Sequence, residues 1–391
     1  MQLPHVFIQR FACISALGLT KDTPAQLFSQ ERTPRTAPFC AELPTNFASP
    51  KAHTLPSEEQ IRAVLPNLPA RKLNRTEYLL AITLTELIDD ARALKKQFGS
   101  ERIGIILGTS TAGMFETESY FQNGAVDSSY SDEELEVFTV ARLAAQCLGI
   151  CGPTYVISTA CSSSAKAMAE AARLIQAGVI DAALTGGMDG ASRFTAAGFQ
   201  ALGAMSEELT QPFQENRPGL NLGEGGAIFL LSRQKAQLEL AGWGETSDAH
   251  HITAPDPQAT QVKKAMRQAL AMAHLTSVDY VNLHGTGTEQ NDKMEALAVH
   301  DVLGQTIPCS STKAITGHTL GGAGALEAAF CCLALLSNRC PKHFSDGPID
   351  PTLAAINLNT STSVTPILSA MTHSFAFGGN NAVLIIKKHP L

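Results

Sequence analysis

The chain repeats itself. Arg102-Ile-Gly-Ile-Ile-Leu-Gly-Thr-Ser-Thr-Ala-Gly113 is an apolar run that ends in a Gly/Thr turn, and Asp279-Tyr-Val-Asn-Leu-His-Gly-Thr-Gly-Thr288 has the same form. Downstream of each comes a second short strand and then a helix rich in Ala, Gly and Cys. The first pair is Tyr155 to Ile157 with the helix from about Ser163 to Ala177, closed by Gly178. The second is Ile307 to Ser310 with the helix from Gly321 to Asn338. Both helices are apolar almost all round, so each must be buried on every side, and small side chains let two such helices approach closely. Internal repetition of strand and helix predicts two similar α/β halves sandwiching a central helix pair, with mostly parallel sheets. We place the halves at residues 1–235 and 236–391.

Outside the repeat, Met1 to Arg10 alternates like an edge strand. Residues 31–70 are broken into loops by prolines from Pro34 to Pro69. A helix is predicted over Asn74 to Lys96, with Leu79, Leu80, Leu84, Leu87 and Ile88 at helical spacing. The formal net charge of −7 argues against nucleic-acid binding, and a charged content of only 17% suggests a large interior and a buried subunit face. Nine cysteines without a C-x-x-C pair indicate neither a disulfide framework nor a zinc site, and no H-E-x-x-H or comparable spacing supports a metal. There is no basic start followed by an apolar stretch at the N-terminus, and the run Ala328 to Leu336 is too short to span a bilayer. These features predict a soluble cytoplasmic protein with no membrane span.

Chemistry concentrates in four strings. In Ser158-Thr-Ala-Cys-Ser-Ser163, Cys161 sits on a strand-to-helix corner, where helix N–H groups favour a thiolate. The alternative at this point is an inert core thiol. His284-Gly-Thr-Gly-Thr288 ends a strand; Ser311-Thr-Lys-Ala-Ile-Thr-Gly-His-Thr319 contains Lys313 and His318; His373-Ser-Phe-Ala-Phe-Gly-Gly-Asn-Asn381 closes the chain's last glycine turn. Lys313 and Glu327 both fall in apolar surroundings and need partners, so Lys313 is expected to pair with Glu327, or with Asp292 or Glu295. Asp292 and Glu295 read as a helix-capping pair. No G-x-x-x-x-G-K-[ST] or early G-x-G-x-x-G string supports a nucleotide, and no G-x-S-x-G elbow surrounds Ser162 or Ser163. One cysteine with two histidines and a lysine fits sulfur-based acyl transfer coupled to a step that develops negative charge on an enolate.

Together these strings resemble the decarboxylating β-ketoacyl-acyl-carrier-protein synthases of the thiolase-like fold. Thr-Ala-Cys-Ser-Ser, His-Gly-Thr-Gly-Thr, Thr-Lys-x-x-x-Gly-His-Thr and Phe-Gly-Gly-x-Asn occur in the family's order. Gln211 to Gly226, Gly186-Gly-Met188 and Phe199 to Ser206 also fit, so the resemblance covers nearly the whole chain. It implies a five-layered α-β-α-β-α arrangement. It implies that Cys161 accepts an acyl chain from the phosphopantetheine of an acyl carrier protein, and that the backbone N–H groups of Cys161 and Phe377 form an oxyanion hole. His284 and His318 would stabilise the enolate left when a malonyl thioester loses carbon dioxide, with Lys313 and Glu327 around the second histidine. Phe377 would gate the site, and Phe199 and Thr111 would line the acyl pocket, Thr111 across a dimer face. Arg71, Lys72 and Arg75 would receive the acidic carrier protein. No metal or nucleotide cofactor is implied; the carrier brings its own prosthetic arm.

The Phe-Gly-Gly loop lacks a thiolase's second cysteine, and a chain-initiating synthase would use Cys-His-Asn. Cys161 counts against a non-catalytic subunit that resembles a chain-length factor, and a thiol-dependent thioester hydrolase would need no malonyl partner. Two positions depart from the family's common pattern: Ala376 stands where Gly is usual and Asn380 where Thr is common. They point to a specialised pathway, aryl polyene or polyketide, beside the housekeeping fatty-acid one, with a homodimer or a heterodimer as the working form.

Overall fold

A computed structural model describes residues 4–32, 43–122, 135–362 and 366–390. The first residues of the N-terminal strand prediction and the part of the proline-rich stretch at 33–42 lie outside them. Among the described residues one sheet holds twelve strands. They are β1 (Phe7–Ser15), β2 (Gly18–Leu19), β3 (Ile103–Gly108), β4 (Thr154–Ile157), β5 (Ala182–Asp189), β6 (Gly225–Ser232), β7 (Leu238–Ser247), β8 (Tyr280–Asn282), β9 (Pro308–Ser310), β10 (Asn357–Leu358), β11 (Ser369–Ala376) and β12 (Asn380–Lys388).

The repetition read from the sequence is a repetition of topology. In one half the strands run β4-β3-β5-β6-β1, and in the other β9-β8-β11-β12-β7. The pairings match one for one: β3 is parallel to β4 and β5, as β8 is to β9 and β11, whereas β5–β6, β6–β1, β11–β12 and β12–β7 are antiparallel. The sheets are therefore mixed rather than mostly parallel. β11 and β12 are joined by the tight turn Phe377–Gly379, which returns the chain antiparallel, whereas the longer link from β5 to β6 contains the helix Arg193–Ala201, which packs on the helix Met114–Gln122. β1 is not an edge strand as expected: it runs between β6 and β7, where Phe7 and Ile8 pair with Glu239 and Leu238 of β7 and join the two halves.

The helices Ser163–Gln176 and Ala323–Ser337 pack against each other, and each touches strands of both halves. The helices Arg75–Phe98 and Thr139–Leu148 cover the outer face of one half, and Thr260–Met272, flanked by Glu289–Leu303, covers the other. The result is the expected five-layered thiolase-like arrangement. Small residues set the central spacing: a Cβ added to Gly324 would lie 2.8 Å from the Ala165 Cβ. Ser164 Oγ accepts from the Ala325 N–H across the same contact, at 2.9 Å. The segment Leu320–Ser337 has the length and hydropathy of a bilayer span, contrary to the sequence estimate, but it is 83% buried between the two half-sheets.

The Arg75–Phe98 helix begins where predicted. Asn74 accepts from the Glu77 N–H at 2.9 Å and Glu77 accepts from the Asn74 N–H at 3.1 Å, a reciprocal cap of about 1 kcal/mol. Leu79, Leu80, Leu84, Leu87 and Ile88 are all buried under it. Two local readings change. β4 is half-buried rather than buried, because it closes one end of the sheet. The helix Glu289–Leu303 is capped at Thr288, so Asp292 lies inside its first turn instead of capping it.

Candidate active site

The loops that follow β4, β8, β9 and β11 converge on one point. Cys161 follows Ala160, whose φ of 51° is left-handed and costs about 1–2 kcal/mol for a residue with a Cβ. That corner turns the chain sharply from β4 into the Ser163–Gln176 helix and leaves the sulfur facing the other half. His284 leaves β8, Lys313 and His318 leave β9, and Phe377 leaves β11. The ligating atoms of Cys161, His284 and His318 lie within 4.8 Å of one another. All three residues are buried at the end of a cleft that Phe199, Leu220, Ile252 and Phe377 also line.

Hydrogen bonds fix the tautomers of both histidines. Lys313 Nζ can only donate, and it lies 3.4 Å from His284 Nδ1, so the ring proton of His284 is on Nε2. The Leu320 N–H donates to His318 Nδ1 at 3.3 Å, which likewise leaves the His318 proton on Nε2. His318 Nε2 is 3.0 Å from Cys161 Sγ, and the two rings stand nearly perpendicular, 5.2 Å apart. Burial, followed by the charge of Lys313, holds both imidazoles well below their ordinary range, so both are neutral. The site thus presents two N–H donors beside the sulfur.

The thiolate expected from the helix N-terminus is not the resting state. Burial pushes the Cys161 thiol up to about 12, outweighing the pull of Lys313 and the backbone N–H groups of Phe377 and Cys161 itself, while Asp189 adds to the rise. Those two N–H groups do face the sulfur, as an oxyanion hole requires.

Of the candidate partners for Lys313, the structure selects Glu327, and the ammonium reaches the first histidine rather than the second. Burial lifts the Glu327 carboxyl to about 7 against the pull of Lys313. Glu295 instead fastens the loops: it accepts from the N–H groups of His284 and Gly285 at 2.7 Å each and from His373 at 2.8 Å. Asp292 accepts from the Phe213 N–H at 2.8 Å, and burial raises its carboxyl to about 7. Phe199 lines the cleft, its ring 5.3 Å from that of Phe377. Thr111 lies in the turn after β3, where its hydroxyl donates to Asp189 at 3.0 Å.

The basic cluster is partly tied up in ion pairs. Arg71 forms a two-pronged pair with the buried Glu77, at 2.6 and 2.7 Å, and Arg75 pairs with the buried Glu224. Both arginines serve loop structure, and only Lys72 of the three is exposed.

Asp189 was missed from sequence. It accepts from the Thr109 and Ser110 hydroxyls and from the N–H groups of Ser110, Thr111 and Gly321, so it ties the turn after β3 to the loop that carries His318. A lone acidic residue closing the apolar run Ala182 to Met188 was the available signal.

The N-terminal domain of the β-ketoacyl synthase family matches residues 20–236, and its C-terminal domain matches residues 238–345. The chain belongs to the β-ketoacyl synthase family. It is 32% identical over 346 residues to 3-oxoacyl-[acyl-carrier-protein] synthase 2 of Staphylococcus aureus, covering 82% of this chain and 83% of that protein. It is 30% identical to 3-oxoacyl-[acyl-carrier-protein] synthase 1 of Haemophilus influenzae, covering 98% of each. Among solved structures it resembles a chain of the ketosynthase ApeO in complex with its chain length factor ApeC from Xenorhabdus doucetiae. That match has a TM-score of 0.88 and 34% identity, over 99% of this chain and 98% of that one. The β-ketoacyl synthase described here is accordingly an acyltransferase that forms carbon–carbon bonds.

Proposed function

We propose that this β-ketoacyl synthase loads an acyl chain from an acyl carrier protein onto Cys161 and extends it by two carbons with a malonyl group held by the same kind of carrier. In the first step Cys161 Sγ attacks the thioester carbon, and the N–H groups of Cys161 and Phe377 receive the developing oxyanion. The bond to the carrier sulfur breaks, and the proton of Cys161 ends on the leaving thiol. In the second step the Nε2–H groups of His284 and His318 hold the carbonyl oxygen of the malonyl thioester. Carbon dioxide leaves, the enolate carbon attacks the acyl-Cys161 carbonyl, the bond to Cys161 breaks, and the released thiolate takes a proton from water to restore the thiol. Lys313, paired with Glu327, keeps His284 in the tautomer that donates.

The observation that carries this reading is the pair of neutral imidazoles with fixed Nε2–H donors beside one sulfur. The same observation speaks against a resident metal. A cation on either Nε2 would move the ring proton to Nδ1, where the Lys313 ammonium or the Leu320 N–H already donates. The reading therefore assigns no metal or nucleotide cofactor, and the phosphopantetheine arrives with the carrier protein in the cytoplasm.

A second subunit is part of the reading. β4 closes one end of the sheet half-exposed, with no further strand beside it among the described residues, and such an edge is ready to pair. The resemblance to a ketosynthase–chain length factor complex supports a heterodimer and a specialised polyketide- or aryl-polyene-type chain; a homodimer in fatty-acid synthesis is the alternative.

Intact-protein mass spectrometry after mixing with an acyl-carrier protein tests the proposal. An acyl adduct on the wild type that is missing in Cys161→Ala, and that is discharged as a β-ketoacyl product only when malonyl carrier protein is added, is the expected result. Release of free acid without the malonyl partner would identify a hydrolase, and the lack of an adduct at any chain length would identify a non-catalytic subunit.

A further inference from the structure

The Phe377 loop must sit over Cys161 for its N–H to reach the sulfur, and it is held there from two sides. Gly378 and Gly379 hold left-handed φ values of 79° and 71°. One side of the loop is held by the segment 248–252: Gly378 N–H donates to the Ile252 carbonyl at 2.6 Å, and Asp248 N–H donates to the Gly379 carbonyl at 2.9 Å. The other side is held by the nucleophile's own helix. Lys166, five residues beyond Cys161, donates from Nζ to Asn380 Oδ1 at 2.9 Å. Asn380 follows Gly379 directly and opens β12.

Lys166 shares its helix with two other charged residues, Glu170 and Arg173. Its surroundings do not favour a charge: it is half-buried, and Arg173 repels it. The nearby carboxylate of Glu245 is bonded by Arg173. The ammonium is thus aimed at a neutral amide, a link that biases a loop and still lets it open without separating an ion pair.

We propose that Lys166 is a positioning residue for the oxyanion loop: its bond to Asn380 registers the Phe377 N–H over Cys161 during acyl transfer. The inference rests on the reading of Cys161 as acyl acceptor. It is tested on the full-length protein with an acyl-pantetheine thioester as probe, the acylation of Cys161 being followed by mass spectrometry. Alkylation of the same thiol by iodoacetamide, which needs no oxyanion donor, serves as the parallel measurement.

Lys166→Met and Asn380→Ala should each slow acylation at saturating thioester by about tenfold, less than the ~100-fold or more of an oxyanion donor removed outright. The half-saturating thioester concentration and the alkylation rate should hold. The double variant should be no slower than either single one, because both remove the same bond. Lys166→Arg, which can still donate to Asn380, should restore most of the rate. Acylation of Lys166→Met at the wild-type rate, an equal slowing of alkylation, or additive losses in the double variant would overturn the proposal. A wild type that takes up no acyl group at all would instead overturn the reading of Cys161.

Discussion

The two halves share one strand order and place their loops over one cleft, yet they contribute differently. In the first half the corner between β4 and the central helix spans residues 158–162 and delivers one reactive atom, the sulfur of Cys161. In the second half the equivalent corner spans residues 311–322 and delivers Lys313 and His318. Elsewhere the first half gives the cleft wall Phe199 and Leu220 and uses Asp189 to bind the turn after β3, whereas the loops of the second half supply His284 and Phe377. A duplicated fold can thus assign the nucleophile to one copy and its electrostatics to the other, and the interface between copies becomes the site.

The division is sharpest at Cys161. Cys161→Ala should abolish the acyl adduct while leaving the second half's geometry intact, which a mass spectrum and a thermal melt together check. Next in size, His318→Ala should still load the acyl group but lose condensation by about 10²–10³-fold, the effect of one lost oxyanion donor. Equal losses in both steps would mean that the second half also activates the sulfur. Glu327→Ala should remove the oxygen to which the buried Lys313 Nζ donates and cost about 3 kcal/mol in chemical denaturation. Loss of condensation without loss of stability would show that the pair is tuned for chemistry alone.

Smaller is the pH effect. Asp292 and Glu327 titrate near 7 in the folded chain and near their ordinary acid values when unfolded. The folded state therefore binds more protons between about pH 4.5 and 7. Stability should fall as pH rises through that window, by at most about 1.4 kcal/mol per unit per group. Denaturation curves at fixed ionic strength check the sign. Smallest is docking: Lys72→Ala should weaken carrier-protein binding only a few-fold and more so at low salt, as for one exposed charge. Arg71→Ala should act mainly on stability, because it unpairs the buried Glu77.

Much of this arrangement was legible in the sequence because its parts are contiguous. The Cys161 corner, the His284 turn and the Lys313–His318 loop are each one short string at the end of a strand, and strand ends are where loops converge. Repetition of two strands and a small-residue helix was enough to predict the central layer. What stayed hidden depends on which distant groups meet. Arg71 and Arg75 look like a free basic patch until Glu77 and Glu224 are folded beneath them. Lys313 had three plausible carboxylates, and only packing chooses Glu327. The thiol's acidity was misjudged because a helix N-terminus can be read from a string, and the depth of burial that opposes it cannot.

That burial has a consequence for the sulfur between turnovers. Peroxides and similar oxidants attack thiolates, and a thiol pushed up to about 12 leaves almost none at neutral pH. Cys161 is also only 6% exposed. Burial should thereby slow the oxidation of Cys161 to sulfenic and sulfinic acid, so that the atom on which acyl transfer depends outlasts the intervals between substrates.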